Sequence, residues 1–315
     1  MDEIAVRYFF NENPNESKGR EEMGRKTVSK LLSIALMVWI LTLAFNMSTI
    51  KAEGGTIYIR GDGLIYPPTA PILNSGNAYY TFTNNIYDSI VVERDNIIVD
   101  GAGYTVQGTG GGIGIDLSYR KNVTVKNTKV TEFFFGIVLD GSSSNILSDN
   151  IVSNNSSQGI RLLFNSNSNN LFNNIASSNG LGIYLAYCSN NTLSGNTVEN
   201  GSGIQLDGSS NNTLSGNTVE NGSIGIYLDY SSNNNNISGN TISSSTMNGI
   251  RLASSVYNLL SSNTVSNNLL GIVFIDSRLN IVSCNTVYSN SLYGILLNRS
   301  GRNQIFHNNF LNNGS

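Results

Sequence analysis

The 315-residue chain is poor in the residues that usually announce a chemistry: it has one histidine, one tryptophan, two cysteines, five methionines and four prolines. His307 stands alone, and Cys188 and Cys284 lie in distant repeats, so no set of His, Cys and Met can converge as a transition-metal site requires. Charged residues make up only 12%. Beyond Ala52 there are 11 basic and 15 acidic side chains, thinly spread, with no basic stripe. That excludes nucleic acid as a partner.

The one long apolar run, Leu31 to Phe45, is fifteen residues, against the roughly 20 that a membrane-spanning helix needs. Arg25, Lys26 and Lys30 precede it and Ala52 follows, the basic–apolar–small order of a secretory signal. We read 23–52 as a signal peptide, with a retained membrane anchor through residues 28–47 as the alternative. Residues 1–22 form a mixed-charge extension, and Met23 is an alternative start. A secreted or cell-surface location is expected. Asn-x-Ser/Thr sequons at Asn122, Asn155, Asn190, Asn200, Asn211, Asn221, Asn236 and Asn298 suit an exported surface that could be glycosylated.

What the chain has in abundance is repetition. A Gly-Ile-x-Leu phrase begins at Gly114, Gly136, Gly159, Gly182, Gly203, Gly225, Gly249, Gly271 and Gly294, at spacings of 22, 23, 23, 21, 22, 24, 22 and 23. About eleven residues after each glycine comes Leu or Ile, then Asn, then Val or Ile, as in Leu193, Asn196, Val198 and Leu214, Asn217, Val219. Period-two alternation in segments this short predicts strands with the aliphatic residues inward. A repeat of this length, stacked on itself, is one rung of a parallel β-helix. Identical Asn on successive rungs would then hydrogen-bond along the axis as an asparagine ladder. An Asn/Ser/Gly-rich composition by itself would suggest disorder, but disorder does not hold Ile, Leu, Asn and Val in register over nine periods. The fold class is therefore all-β, a parallel β-helix of about nine to ten rungs behind an N-terminal signal or anchor helix.

Residues 53–95 lack the repeat and are expected to cap the first rung. The regular β-helix covers 96–315. Cys188 and Cys284 sit four rungs apart, about 19 Å along the axis at the strand spacing, too far for a disulfide. Both are expected to be free and buried.

The phrase Asp100-Gly-Ala-Gly-Tyr-Thr-Val-Gln-Gly108, followed by Gly-Ile-x-Leu and Asn-x-Leu-Ser-x-Asn-x-Val rungs, resembles the NosD-like family of exported β-helix proteins with PbH1/CASH repeats, common at archaeal surfaces. The resemblance spans residues 54–315 and implies a right-handed β-helix. Its function is open, because the same rungs serve carbohydrate lyases, hydrolases, epimerases and non-catalytic surface proteins. The copper in the family's founding name has no ligand set here. His307-Asn-Asn-Phe-Leu-Asn-Asn313 matches a phrase that family members follow with a closing segment, so a C-terminal end is expected to be missing and the last rung could self-associate. The Asp-Pro-His-Asp phrase of the alginate epimerases is absent.

Two outward columns carry the chemically varied residues. The position between Ile and Leu reads Asp116, Val138, Arg161, Tyr184, Gln205, Tyr227, Arg251, Val273, and the one after Leu reads Asp140, Leu163, Ala186, Asp207, Asp229, Ala253. Asp207 and Asp229 should stack about 5 Å apart. At that separation they could serve a glycosidase or share a Ca²⁺ ion, with Arg251 on a uronate. Arg161, Tyr184, Gln205 and Tyr227 would bind sugar. Against catalysis stands the near-duplication of residues 191–202 at 212–223, which copies an Asp without selecting it. The reading is a non-catalytic surface scaffold, without cofactor unless Ca²⁺, whose partner is polysaccharide or another envelope component. The alternative is a lyase or glycosidase acting on an acidic polymer through Asp207, Asp229 and Arg251. If the facing is right, Ile226→Asp unfolds the stack locally while Tyr227→Ala leaves it folded; equal loss of melting temperature in the two variants would refute it.

Overall fold

The computed structural model describes residues 55–314; the extension, signal and anchor expected before them lie outside the described residues. Each repeat contributes three short strands, as in Ser202–Asp207, Thr213–Ser215 and Thr218–Glu220. Each pairs in parallel with its counterpart one rung on, through Ile204↔Ile226, Leu214↔Ile237 and Val219↔Ile242. Three sheets result, of twelve, twelve and ten strands among the described residues, running the length of a β-solenoid. We call the sheet holding the Gly-Ile-x-Leu strands the first.

Inside, Ile204, Leu206, Leu214 and Val219 are fully shielded, and their equivalents stack above and below. Each is worth roughly 1.5–3 kcal/mol of burial before entropy is charged. The glycine of each phrase is inward as well. A Cβ on Gly203 would collide with the carbonyl of Gly225 and the side chain of Val219, so only glycine permits this close approach at the corner. Corners on the outside are turned by left-handed residues, such as Asn200, Asn211 and Asn221 at φ 57°, 59° and 56°; Asn tolerates this region better than other non-glycine residues.

The asparagine ladder exists, and it is not alone. One column runs Asn150, Asn174, Asn196, Asn217, Asn240, Asn263, Asn285, Asn308, as the spacing predicts. A second runs Asn145, Asn169, Asn191, Asn212, Asn235, Asn258, Asn280, Asn303 at the preceding corner. Members of a column work alike. The backbone N–H and Nδ2 of Asn196 both donate to Oδ1 of Asn217 at 3.0 Å, and Nδ2 also donates to the carbonyl of Leu171 at 2.9 Å. A third column, Asn155–Asn179 and Asn268–Asn290–Asn313, is broken where Gly201 and Gly222 pass too close to the rung before for any side chain.

A serine column completes the corners, with the N–H of Ser209 donating to Oγ of Ser232 at 3.0 Å and that of Ser255 to Oγ of Ser277 at 3.0 Å. Cys188 occupies a serine place here: its N–H donates to Oγ of Ser209, and its Sγ donates to the carbonyl of Ala186 at 3.1 Å. Both cysteines are free, but Cys284 is exposed rather than buried. It sits at a left-handed corner, φ 57°, whose side chain turns outward.

At the N-terminal end, Thr56–Ile59 pairs in parallel with Ser89–Val92, and Ile65–Tyr66 and Ile72–Ser75 add antiparallel strands at the sheet edges. Such strands close edges that would otherwise template pairing. The last described rung leaves Ile305, Phe306, Phe310 and Leu311 more than a third exposed.

Asn217→Ala strands the N–H of Asn196 and the carbonyl of Leu193. It should cost at least about 2 kcal/mol, whereas Asn211→Gly, at an exposed left-handed corner, should stay within about 0.5 kcal/mol. Denaturant unfolding of the two variants checks this.

Candidate functional site

The outer face of the first sheet brings the predicted residues together in the order the repeat dictates. Register places Arg161 beside Tyr184, Tyr184 beside Gln205, Gln205 beside Tyr227 and Tyr227 beside Arg251. In the neighbouring column Ala186 pairs with Asp207 and Asp207 with Asp229. An outward strand face would ordinarily be well solvated, yet Val138, Leu163 and Ala186 are 2–4% exposed and Asp207 only 9%. The short side chains of this face are sunk below their longer neighbours, and we call the strip they form the groove.

The wall comes from the next residue along each strand. Tyr119, Phe164, Tyr187 and Tyr230 take left-handed φ values of 61°, 38°, 55° and 50°. Their rings stay accessible, between 39% and 69% exposed. Phe164 and Tyr187 stack with centroids 6.0 Å apart and planes within 5°. The column has glycine at Gly141 and Gly208, and there the rings lie down: a Cβ on Gly208 would meet the Tyr187 ring at 2.8 Å, and one on Gly141 the Tyr119 ring at 3.0 Å. Sequence reasoning missed Tyr119 and Phe164. The alternation of ring and glycine one position beyond the Asp column was the signal that could have found them.

On the floor, the Tyr184 hydroxyl donates to Asp207 Oδ2 at 2.8 Å, and Gln205 Nε2 donates to both Asp207 oxygens at 3.0 Å. One rung on, the Tyr227 hydroxyl donates to Asp229 Oδ2, and the Tyr230 N–H to Oδ1 at 2.7 Å. Burial raises the pKa of Asp207; the Gln205 and Tyr184 hydrogen bonds oppose this and the Asp229 charge adds to it. Burial, then the neighbouring carboxylate, pushes the Tyr184 and Tyr227 phenols well up, so they stay protonated donors. Arg161 is brought down to about 10 by burial and remains a cation at neutral pH; it lies 4.4 Å from the Phe135 ring centroid, and Arg251 lies 5.0 Å from that of Tyr227.

Two adjacent carboxylates are fewer oxygens than the six to eight that Ca²⁺ takes, and no group of three or more His, Cys, Asp or Glu side chains converges among the described residues. Away from this face, a cleft of about 480 Å³ is lined by Tyr87, Gln107, Glu132, Phe133, Asn154 and Ser156. Gln107 Nε2 donates to Glu132 at 2.9 Å. Its residues come from successive rungs and the N-terminal strands, so no local phrase marks it.

With this geometry in view, the comparisons decide the family. The description "Periplasmic copper-binding protein (NosD)" matches residues 59–235, more than half of the chain. The chain belongs to the NosD family. A right-handed β-helix description matches residues 181–315. Among solved structures, the periplasmic alginate epimerase AlgG superposes with TM-score 0.57 at 15% identity, covering 82% of this chain and 83% of that one. ORF18 of Geobacillus virus E2 gives 0.64 at 16%, over 77% and 56%. DFA-IIIase from Arthrobacter chlorophenolicus A6 gives 0.51 at 14%, over 74% and 65%. These likenesses establish the fold. No curated protein matches the chain.

The copper in the family's description does not fit the residues of this NosD-family chain. Cys188 is buried with its thiol pushed up to about 12 by burial, Cys284 and Met247 are exposed at separate corners, and His307 packs edge-on against Phe306. They form no common ligand set.

The raised pKa of Asp207 means the folded state binds that proton more tightly than the unfolded chain. Its charge therefore costs stability as pH rises through the interval from the ordinary value to the raised one, and the cost is constant above it. Asp207→Asn should accordingly melt at or above the wild type at pH 7, and the advantage should vanish at about pH 3, below the ordinary carboxylate value. Melting curves of both proteins at the two pH values check it.

Proposed function

We propose that the protein is an exported β-helix scaffold that binds a polysaccharide chain along the groove of its first sheet without cleaving it. The carrying observation is the pairing of a ring wall with a polar floor over consecutive rungs: Phe164, Tyr187 and Tyr230 beside Tyr184, Gln205, Tyr227, Asp207 and Asp229. Rings offer flat apolar faces to the C–H face of a pyranose, and a partly buried floor offers strong hydrogen bonds at low local dielectric. The family's description and that of the AlgG epimerase both include the word periplasmic, which supports export. The AlgG name also carries alginate, which supports a carbohydrate ligand on this fold.

The carboxylates support binding over hydrolysis. A glycosidase needs one carboxyl held protonated and a second free to attack or activate water, flanking the bond. Asp207 and Asp229 stand side by side in one column, so they face the same side of a bound chain. Each is also already engaged as an acceptor, by Tyr184 and Gln205 and by Tyr227 and the Tyr230 N–H. The lyase alternative through Asp207, Asp229 and Arg251 meets the same objection, and the Arg251 guanidinium lies over the Tyr227 ring.

Affinity electrophoresis in neutral and acidic polysaccharides, with and without Ca²⁺ and with cleavage followed in parallel, tests the proposal. Retardation without cleavage is expected, and Tyr187→Ala with Phe164→Ala should weaken it about tenfold while leaving the melting temperature near wild type. Release of shortened or unsaturated products would overturn the non-catalytic reading.

A further inference from the structure

We infer that the groove selects a neutral, hydroxyl-rich polysaccharide, laid along the solenoid axis at one sugar unit per rung, and discriminates against polyuronates. This rests on the groove being the glycan-binding face proposed above.

The first argument is donor–acceptor matching. Tyr184 has committed its only proton to Asp207, and Tyr227 its own to Asp229. Towards a ligand, both phenol oxygens can therefore only accept. Gln205 directs one Nε2–H at the two Asp207 oxygens, which leaves its carbonyl oxygen to accept and its second amide hydrogen as a single donor. The two carboxylates are acceptors throughout while ionised. Over three successive rungs the floor thus presents five acceptor groups against one free donor, the second Gln205 amide hydrogen. Sugar hydroxyls supply a proton each and fit it. A uronate carboxylate is itself only an acceptor and does not.

Charge points the same way. Asp207 and Asp229 occupy neighbouring rungs at the centre, while Arg161 and Arg251 stand at the two ends of the column, with Tyr184, Gln205 and Tyr227 between them. One rung advances about 4.8 Å along the axis, close to the advance of one pyranose in an extended chain. A polyuronate in that register sets a carboxylate over each central Asp, where burial weakens screening. Arg161 turns away from the centre towards Phe135, and Arg251 reaches in no further than the Tyr227 ring, so no arginine stands over Asp207. Phe164 and Tyr187 stack on adjacent rungs and the Tyr187 ring covers the place of Gly208 before Tyr230 follows, so rings edge the strip over four consecutive rungs. This continuous aromatic edge suits an extended chain laid along the axis.

The test uses the full chain and calorimetric titration with four probes: cellohexaose and mannohexaose as neutral chains, hexagalacturonate and hexaguluronate as acidic ones, each at low and high salt. A neutral hexasaccharide should bind with little salt dependence, and both uronates should bind at least about tenfold more weakly at low salt, the gap closing as salt screens the carboxylates. The double variant Asp207→Asn/Asp229→Asn should lose about tenfold on the neutral chain and narrow the gap to the acidic ones. Should the double variant fail to fold, Asp229→Asn alone gives the same comparison in smaller measure. A uronate hexamer that binds the wild type as tightly as the neutral chains overturns the selectivity while leaving the groove as the glycan site. Binding by neither class, or binding untouched by Tyr187→Ala, overturns the groove itself.

Discussion

The structure depends on one interaction, the side-chain amide of an asparagine that closes a corner of one rung onto the next. At each such corner the chain leaves a sheet, and a buried backbone N–H and C=O lose their ladder partners. Asn196 restores both, since Oδ1 of Asn217 takes its N–H and its own Nδ2 takes the carbonyl of Leu171. An unpaired buried pair of this kind would cost about 2 kcal/mol or more at every corner, enough over ten rungs to exceed the stability of any ordinary domain. Asparagine carries donor and acceptor on one short, planar group, and serine does part of the same work at another corner. The serine column shows the substitution rule, because the one cysteine in it keeps the backbone bond to Ser209 and merely exchanges a hydroxyl for a thiol.

Those corners also explain why the outer face of the first sheet can be a groove. A left-handed residue must follow each long strand for the chain to turn, and its side chain is thrown outward beside the sheet. Where that residue is Tyr or Phe a wall rises, and where it is Gly the neighbouring ring folds down over the vacant place. The floor is held by the parallel ladder to a fixed spacing, so polar groups a rung apart in sequence become neighbours without any loop to move. A site built this way is preorganised along its length and loses little entropy on receiving an extended ligand.

Cost and use are visible in the same residues. Asp207 is kept at 9% exposure, which penalises its charge, and Tyr184 with Gln205 repay part of that by donating to it. The near-duplicate segments around it deliver the adjacent Asp229 with its own tyrosine partner. The two carboxylates are held differently, Asp207 by Tyr184 of the rung before and Asp229 by Tyr227 of its own strand, and the broken asparagine column at Gly201 and Gly222 lies in the near-duplicate segments.

The fold was legible because a solenoid converts sequence period into spatial neighbourhood. Spacing between glycines alone set the register that brought Arg161, Tyr184, Gln205, Tyr227 and Arg251 into one column and Asp207 against Asp229. Inward and outward faces followed from alternation, and the ladder through Asn217 from its place in the phrase. What alternation could not reach were residues in non-repetitive φ. The path of a left-handed Tyr187 depends on whether the next rung offers a side chain or Gly208, and the exposure of Cys284 depends on its corner. Nor could a one-dimensional period say that outward residues on the first sheet would be nearly as buried as core, because burial there comes from neighbouring columns that only the wound chain brings together. The sequence by itself determined the coil, its register and its chemistry-bearing columns, because each is a matter of spacing. The tertiary structure alone decided that these columns line a groove with an aromatic wall, because side-chain direction at the corners is set by contacts between rungs.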